Sequence, residues 1–84
     1  MTNVSQDIKI FIESEFKLEK SSIGVDDDLF KQGILDSMAV LQIVNFIEES
    51  HNIQIKDEEI VVENFRSVTA ITSLINRKTE KQGT

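Results

Sequence analysis

The chain has 84 residues, with 15 acidic and 9 basic side chains, a formal net charge of −6, no Cys and a single His. This length allows one small domain and excludes a large cleft between two lobes, and the missing Cys excludes disulfides, thiolate metal sites and a cysteine nucleophile. The negative charge disfavours nucleic acid and anionic membranes as partners, and with neither a secretory signal nor a membrane-length apolar run we expect a cytoplasmic protein that binds basic protein surfaces.

The first predicted element is an amphipathic helix over about residues 4–17. Its apolar positions recur at the i, i+4, i+7, i+8 spacing of one helical face: Val4, Ile8, Phe11 and Ile12. Asn3 is placed to cap this helix, with Gln6 in capping-box position.

A long connection is predicted over residues 18–36, where helical periodicity is lost. The connection contains residues typical of turns: Gly24, Gly33 and the acidic run 26–28. Apolar anchors are spread along it: Leu18, Ile23, Val25, Leu29, Phe30, Ile34 and Leu35. The acidic run does not fit a calcium loop, because Lys31 replaces the glycine at the sixth position and Ser37 replaces the glutamate at the twelfth. We interpret it as a solvated turn, and no metal site is expected.

The second predicted helix runs from Ser37 to about Ser50. One side is apolar: Ala39, Val40, Ile43, Val44, Phe46 and Ile47. The other side is polar: Gln42, Asn45, Glu48 and Glu49. His51 and Asn52 mark the end of the helix, where His51 complements the helix dipole rather than serving in catalysis.

Two more helices complete the prediction of an all-α four-helix bundle. Asp57 is predicted to cap a brief third helix that reaches about Glu63, and Ser67 to cap the last helix. The last helix has one apolar stripe: Val68, Ile71, Leu74 and Ile75. We expect residues 1–78 to form the domain and residues 79–84 a flexible polar tail.

The most informative segment lies at the start of the second helix. Asp36 suffices as its cap, which leaves the hydroxyl of Ser37 free at the first turn. Met38 and Leu41 lie away from the apolar stripe of the helix, and clustered exposed apolar residues suggest a partner site. Neither a nucleophile–His arrangement, nor a Gly-rich phosphate loop, nor metal-ligand spacing is present, so an enzyme is not predicted.

The segment around this serine resembles the signature of acyl and peptidyl carrier proteins, in which D-L-F-x-x-G-x-x-D-S-(L/M) precedes the second helix of a four-helix bundle. The matching residues are Asp28-Leu29-Phe30-Lys31-Gln32-Gly33-Ile34-Leu35-Asp36-Ser37-Met38. The resemblance implies that Ser37 carries covalent phosphopantetheine, derived from coenzyme A. It also implies a thiol on the prosthetic arm, so that the missing Cys is no objection.

The resemblance implies a non-catalytic, monomeric carrier that shuttles acyl or aminoacyl thioesters between biosynthetic enzymes. Its expected partners are a phosphopantetheinyl transferase, a loading ligase or transferase, and downstream synthase or condensing enzymes. They are expected to bind a common face: Asp36, Met38, Leu41, Gln42, Asn45 and Glu48. Few acids lie early in the second helix, which favours polyketide, nonribosomal peptide or D-alanyl types over fatty-acid synthesis. The alternative is an unmodified helical adaptor that uses Met38 and Leu41 to bind its partner.

Overall fold

The computed structural model describes residues 4–19 and 23–82. These residues form four α-helices and no strand: α1 (Val4–Glu15), α2 (Ser37–His51), α3 (Val62–Phe65) and α4 (Val68–Gln82). A 3₁₀ turn (Asp57–Glu59) lies between α2 and α3. The predicted all-α four-helix class is confirmed, with three longer helices and a short third one. None of the helices in the described ranges has the length and apolar character needed to span a bilayer.

Most of the core comes from the apolar stripes of the three longer helices. Its fully buried members from these helices include Ile8, Ile12, Ile43, Ile47, Val68 and Ile71. α4 packs against α1 and α3. In α2 every predicted stripe residue is buried except Phe46, which is half-buried. The helical phase predicted for α1, α2 and α4 is therefore confirmed.

The connection before α2 is attached to the rest of the fold by buried side chains and backbone hydrogen bonds. Leu29 is fully buried, and its N–H donates to the carbonyl of Arg66 at 2.7 Å. The carbonyl of Val25 accepts from the N–H of Thr69 at 2.9 Å, while the Val25 side chain is exposed rather than buried as expected. These two bonds join the connection to the α3–α4 corner, and this attachment fixes where α2 begins.

The acidic run within this connection stabilises two turns. A carboxylate oxygen of Asp27 accepts from the N–H of Gly24 at 2.7 Å. One oxygen of Asp28 accepts from the N–H groups of Phe30 and Lys31 at 3.1 and 3.0 Å. Both carboxylates therefore accept hydrogen bonds from nearby backbone N–H groups, as Asp commonly does in turns.

The segment after α2 differs from the single short helix predicted over residues 57–63. Asp57 is the first residue of the 3₁₀ turn rather than an N-cap, and the carboxylate of Glu59 accepts from the N–H of Lys56 at 2.8 Å. The chain then leaves helical geometry at Ile60 and Val61, and α3 starts at Val62. Two non-helical residues therefore divide the predicted single helix into a 3₁₀ turn and α3.

Two helix ends match the predictions, and one helix extends beyond its predicted end. α2 stops at Asn52, which adopts a left-handed conformation with φ of 54°. Ser67 caps α4 as predicted, since its Oγ accepts from the N–H of Ala70 at 3.1 Å. α4 continues to Gln82, past the domain boundary expected at residue 78, and the flexibility of residues 79–84 stays a prediction. Asn3, the expected cap of α1, lies outside the described residues.

An ion pair clamps the 3₁₀ turn to α4. Nζ of Lys78 lies 2.6 Å from Oε1 of Glu59, and both side chains are half-buried. The backbone carbonyl of Glu59 also accepts from the side-chain amide of Asn64 at 2.8 Å. The hydrogen bond from Lys78 and that from the Lys56 backbone hold the pKa of Glu59 below its ordinary value.

Acid should weaken this clamp. Because the pKa of Glu59 is lowered in the folded protein, the pair stabilises the fold above the ordinary pKa of 4.5, and this contribution is lost as pH falls below it. Glu59→Gln should therefore lower the free energy of unfolding at neutral pH and remove part of its fall in acid. Urea unfolding at about pH 7 and about pH 3 measures this, with exposed Glu58→Gln as the matched control. Equal pH dependence in both variants would contradict a stabilising clamp.

Candidate functional site

Ser37 is the first residue of α2, and its side chain is exposed. The N-cap is Asp36, whose carboxylate accepts from the N–H of Ala39 at 2.9 Å. The cap that the sequence predicts is therefore confirmed. Because Asp36 supplies the capping oxygen, the hydroxyl of Ser37 is left available at the helix start.

The residues before Ser37 hold the helix start in place. Gly33 has φ of +77°, a conformation that favours glycine, and its N–H donates to the carbonyl of Phe30 at 3.1 Å. The N–H groups of Ile34 and Leu35 both donate to the carbonyl of Leu29 at 3.0 and 3.2 Å. Leu35, which precedes Ser37 in the chain, is buried, and so are Ala39 and Val40, which follow it. The serine is thus fixed at the surface between two anchored segments.

An apolar groove opens beside the serine. Its volume is about 260 Å³, and its walls come from the connection, from α2 and from the segment around residue 61: Phe30, Ser37, Val40, Leu41, Ile60, Val61 and Val62. We call it the Ser37 groove. Leu41 is 50% exposed, and Val61 and Val62 are exposed as well. The groove therefore presents an apolar surface next to a free hydroxyl.

The residues predicted to form one partner face do not lie together on one surface. Leu41 lines the Ser37 groove, whereas Met38 is 70% exposed and is not among the residues that line it. Gln42 and Asn45 line a second depression on another side of α2. The carboxylate of half-buried Glu48 accepts from the N–H of Ile55 at 2.9 Å, so it fixes the chain after α2. Whether these side chains bind partners stays a prediction.

Sequence reasoning missed the second wall of the groove. The sequence predicts that a brief helix runs through Ile60, Val61 and Val62 and gives these residues no functional role, whereas Val61 and Val62 are exposed in the wall of the Ser37 groove. Three consecutive apolar residues cannot all face the core from a short helical segment, because successive side chains are about 100° apart. That run was the available signal.

The surroundings of the Ser37 hydroxyl favour an attached phosphate. The hydroxyl forms no hydrogen bond with another described residue, and His51 lies at the opposite end of α2, about 21 Å along the helix axis at 1.5 Å per residue. Unpaired backbone N–H groups and the positive end of the dipole at a helix start favour an attached phosphate. The exposed serine, the helix start and the open groove therefore fit a phosphate-linked group.

Three comparisons with known proteins bear on this site. A family profile described as "Phosphopantetheine attachment site" matches residues 6–75, a range that includes the whole Ser37 groove. The "Probable acyl carrier protein PigG" of Serratia sp. (strain ATCC 39006) is 30% identical over 59 residues, which cover 70% of this chain and 68% of the relative. A chain of the solved structure "Crystal structure of FAD-dependent dehydrogenase" superposes with a TM-score of 0.72 at 26% identity, over 81% of this chain and 97% of that one.

Proposed function

Because the chain belongs to the phosphopantetheine-bearing family of acyl carrier proteins, we propose that Ser37 is the residue that bears the phosphopantetheine. The observation that carries this proposal is the exposed Ser37 hydroxyl at the first turn of α2, left free because Asp36 caps the helix. The Asp-Ser pair of the carrier signature supports the same residue.

In this proposal the chain contributes positioning and presentation rather than catalysis. The thiol of the arm, when bound, holds an acyl or aminoacyl group as a thioester. Asp36 maintains the helix start that presents Ser37, and the backbone N–H groups of the first turn favour the attached phosphate. The proton acceptor for modification is supplied by the transferase, which explains why Ser37 needs no neighbouring base.

We further propose that the cargo is an acyl or aminoacyl group of specialised biosynthesis, of the polyketide, nonribosomal peptide or D-alanyl type. The early part of α2 presents Leu41, Gln42 and Asn45 rather than acids, which supports these types over fatty-acid synthesis. A phosphopantetheinyl transferase, a loading enzyme and downstream synthase or condensing enzymes then act on a monomeric carrier. We propose that this carrier acts in the cytoplasm, where coenzyme A supplies the arm.

Intact-mass measurement tests this function. After incubation with coenzyme A and a broad-specificity phosphopantetheinyl transferase, the protein should gain the mass of one phosphopantetheine. An established carrier protein in a parallel reaction shows that the transferase is active. An unchanged mass beside a modified positive control would contradict the carrier function and favour an unmodified adaptor.

Leu41→Glu should slow modification by about tenfold, which corresponds to roughly 1.4 kcal/mol of lost docking energy. The substitution places a charge in the apolar wall of the Ser37 groove, and because Leu41 is 50% exposed the fold should survive. The initial rate of mass gain measures the effect, and the circular dichroism spectrum should keep its helical form.

Ile10→Glu is the matched control for this change. Ile10 is 53% exposed on α1 and does not line the Ser37 groove, so the same new charge there should leave the rate near that of the wild type. Equal slowing in both variants would show a general effect of charge. An unchanged rate in folded Leu41→Glu would show that the transferase docks elsewhere.

A further inference from the structure

A second depression lies between α1 and α2 and has no part in the proposed carrier chemistry. Its volume is about 280 Å³, and six residues line it: Phe11, Glu15, Gln42, Asn45, Phe46 and Glu49. It shares no lining residue with the Ser37 groove. We call it the α1–α2 depression.

Two aromatic rings form the apolar part of this depression. Phe11 and Phe46 are stacked with ring centroids 4.0 Å apart and planes 13° from parallel. Both are half-buried and pack against the core, so their positions are fixed by the fold. Aromatic rings carry negative charge density on their faces and attract cations placed against them, most often the guanidinium of Arg.

Two exposed carboxylates complete the depression. Glu15 is the last residue of α1, and Glu49 lies in the last turn of α2. Both are exposed, and neither carboxylate forms a hydrogen bond or an ion pair with another described residue. The last turn of α1 contains no basic residue, so the negative end of its dipole adds to the charge of Glu15. This side of the protein therefore favours a cation.

We propose that the α1–α2 depression binds an arginine side chain from the basic surface of a partner protein. The planar guanidinium can pack against the Phe rings while its N–H groups donate to Glu15 and Glu49. The amide oxygens of Gln42 and Asn45 are available as further acceptors. Lysine fits less well, because its compact ammonium is more strongly hydrated and cannot donate in a planar fork.

This contact is separate from the place where the arm is proposed to be attached. A partner could hold the carrier by the α1–α2 depression while the Ser37 groove faces a catalytic site. Two contacts on one partner raise the effective affinity above that of either contact alone. The inference does not depend on Ser37, so its failure would leave the carrier function untouched.

A titration of the ¹⁵N-labelled full chain with a capped tri-arginine peptide at low ionic strength tests the proposal. Saturable chemical-shift changes are expected at the side-chain amides of Gln42 and Asn45 and at the backbone of Glu49. A capped tri-lysine peptide should bind more weakly. Phe46→Leu should weaken tri-arginine binding by about two- to fivefold, the size of an exposed cation–π contact.

Paired charge removal gives the decisive comparison. The double variant Glu15→Gln/Glu49→Gln should lose the localised shifts, whereas Glu58→Gln/Glu63→Gln, with the same change in net charge at other exposed acids, should keep them. All four side chains are exposed, so both variants should fold. Localised shifts that survive in the first variant would overturn the proposal. Shifts of equal size at acidic residues all over the surface, with either peptide, would also overturn it and would indicate diffuse charge attraction.

Discussion

Ser37→Ala should abolish attachment of phosphopantetheine while leaving the four-helix fold intact. The substitution removes the only atom that can form the proposed phosphodiester. Because Asp36 rather than Ser37 accepts the hydrogen bond that caps α2, and because Ser37 is exposed, the free energy of unfolding should change by no more than about 0.5 kcal/mol. Intact-mass measurement after transferase treatment records the loss, and urea unfolding records the stability.

Ser50→Ala is the matched control for this prediction. Ser50 is also exposed on α2 but lies near its opposite end, so its replacement should leave modification at the wild-type level. Loss of modification in both variants would show that the assay responds to a change in the helix rather than to the attachment residue. Modification that persists in Ser37→Ala would contradict the assignment.

Ile43→Ala and Ile47→Ala should each lower the free energy of unfolding by about 2–5 kcal/mol. Both side chains are 0% exposed in the middle of α2, so truncation leaves a cavity in the core. Small domains are stable by only about 5–15 kcal/mol, and either change would remove a large part of that. The measurement is a urea or thermal unfolding curve for each variant.

Ile10→Ala provides the comparison for these core changes. Ile10 is 53% exposed on α1, so the same chemical change should cost no more than about 0.5 kcal/mol. Wild-type unfolding curves for Ile43→Ala and Ile47→Ala would contradict the helical phase of α2, on which the exposure of Ser37 depends.

The three longer helices and the exposure of Ser37 were predictable from the sequence because each rests on a local signal. In α4 the spacing of Val68, Ile71 and Leu74 matches only the helical period, and all three are buried. At α2 the order of Asp36 and Ser37 indicates which side chain caps the helix and which stays free, as the bond to Ala39 shows.

The segment from residue 57 to 65 and the use of Glu48 were not predictable in the same way. Short helices gain little from propensity and depend on tertiary contacts, such as the pairing of Glu59 with Lys78 on α4. The sequence predicts Glu48 on a partner face, because helical spacing places it beside polar residues. The Glu48 carboxylate accepts a hydrogen bond from the N–H of Ile55, and this contact depends on the path of the chain after α2. The periodicity of the sequence does not predict that path.

Locating the attached group by peptide mapping tests the central claim most directly. Trypsin cleavage after Lys31 and Lys56 gives the fragment 32–56, in which Ser37 and Ser50 are the only hydroxyl-bearing side chains. After transferase treatment, tandem mass spectrometry of this fragment should place the phosphopantetheine on Ser37. Its location on Ser50 or on any other tryptic fragment would contradict the account, as would an unmodified digest beside a modified control carrier.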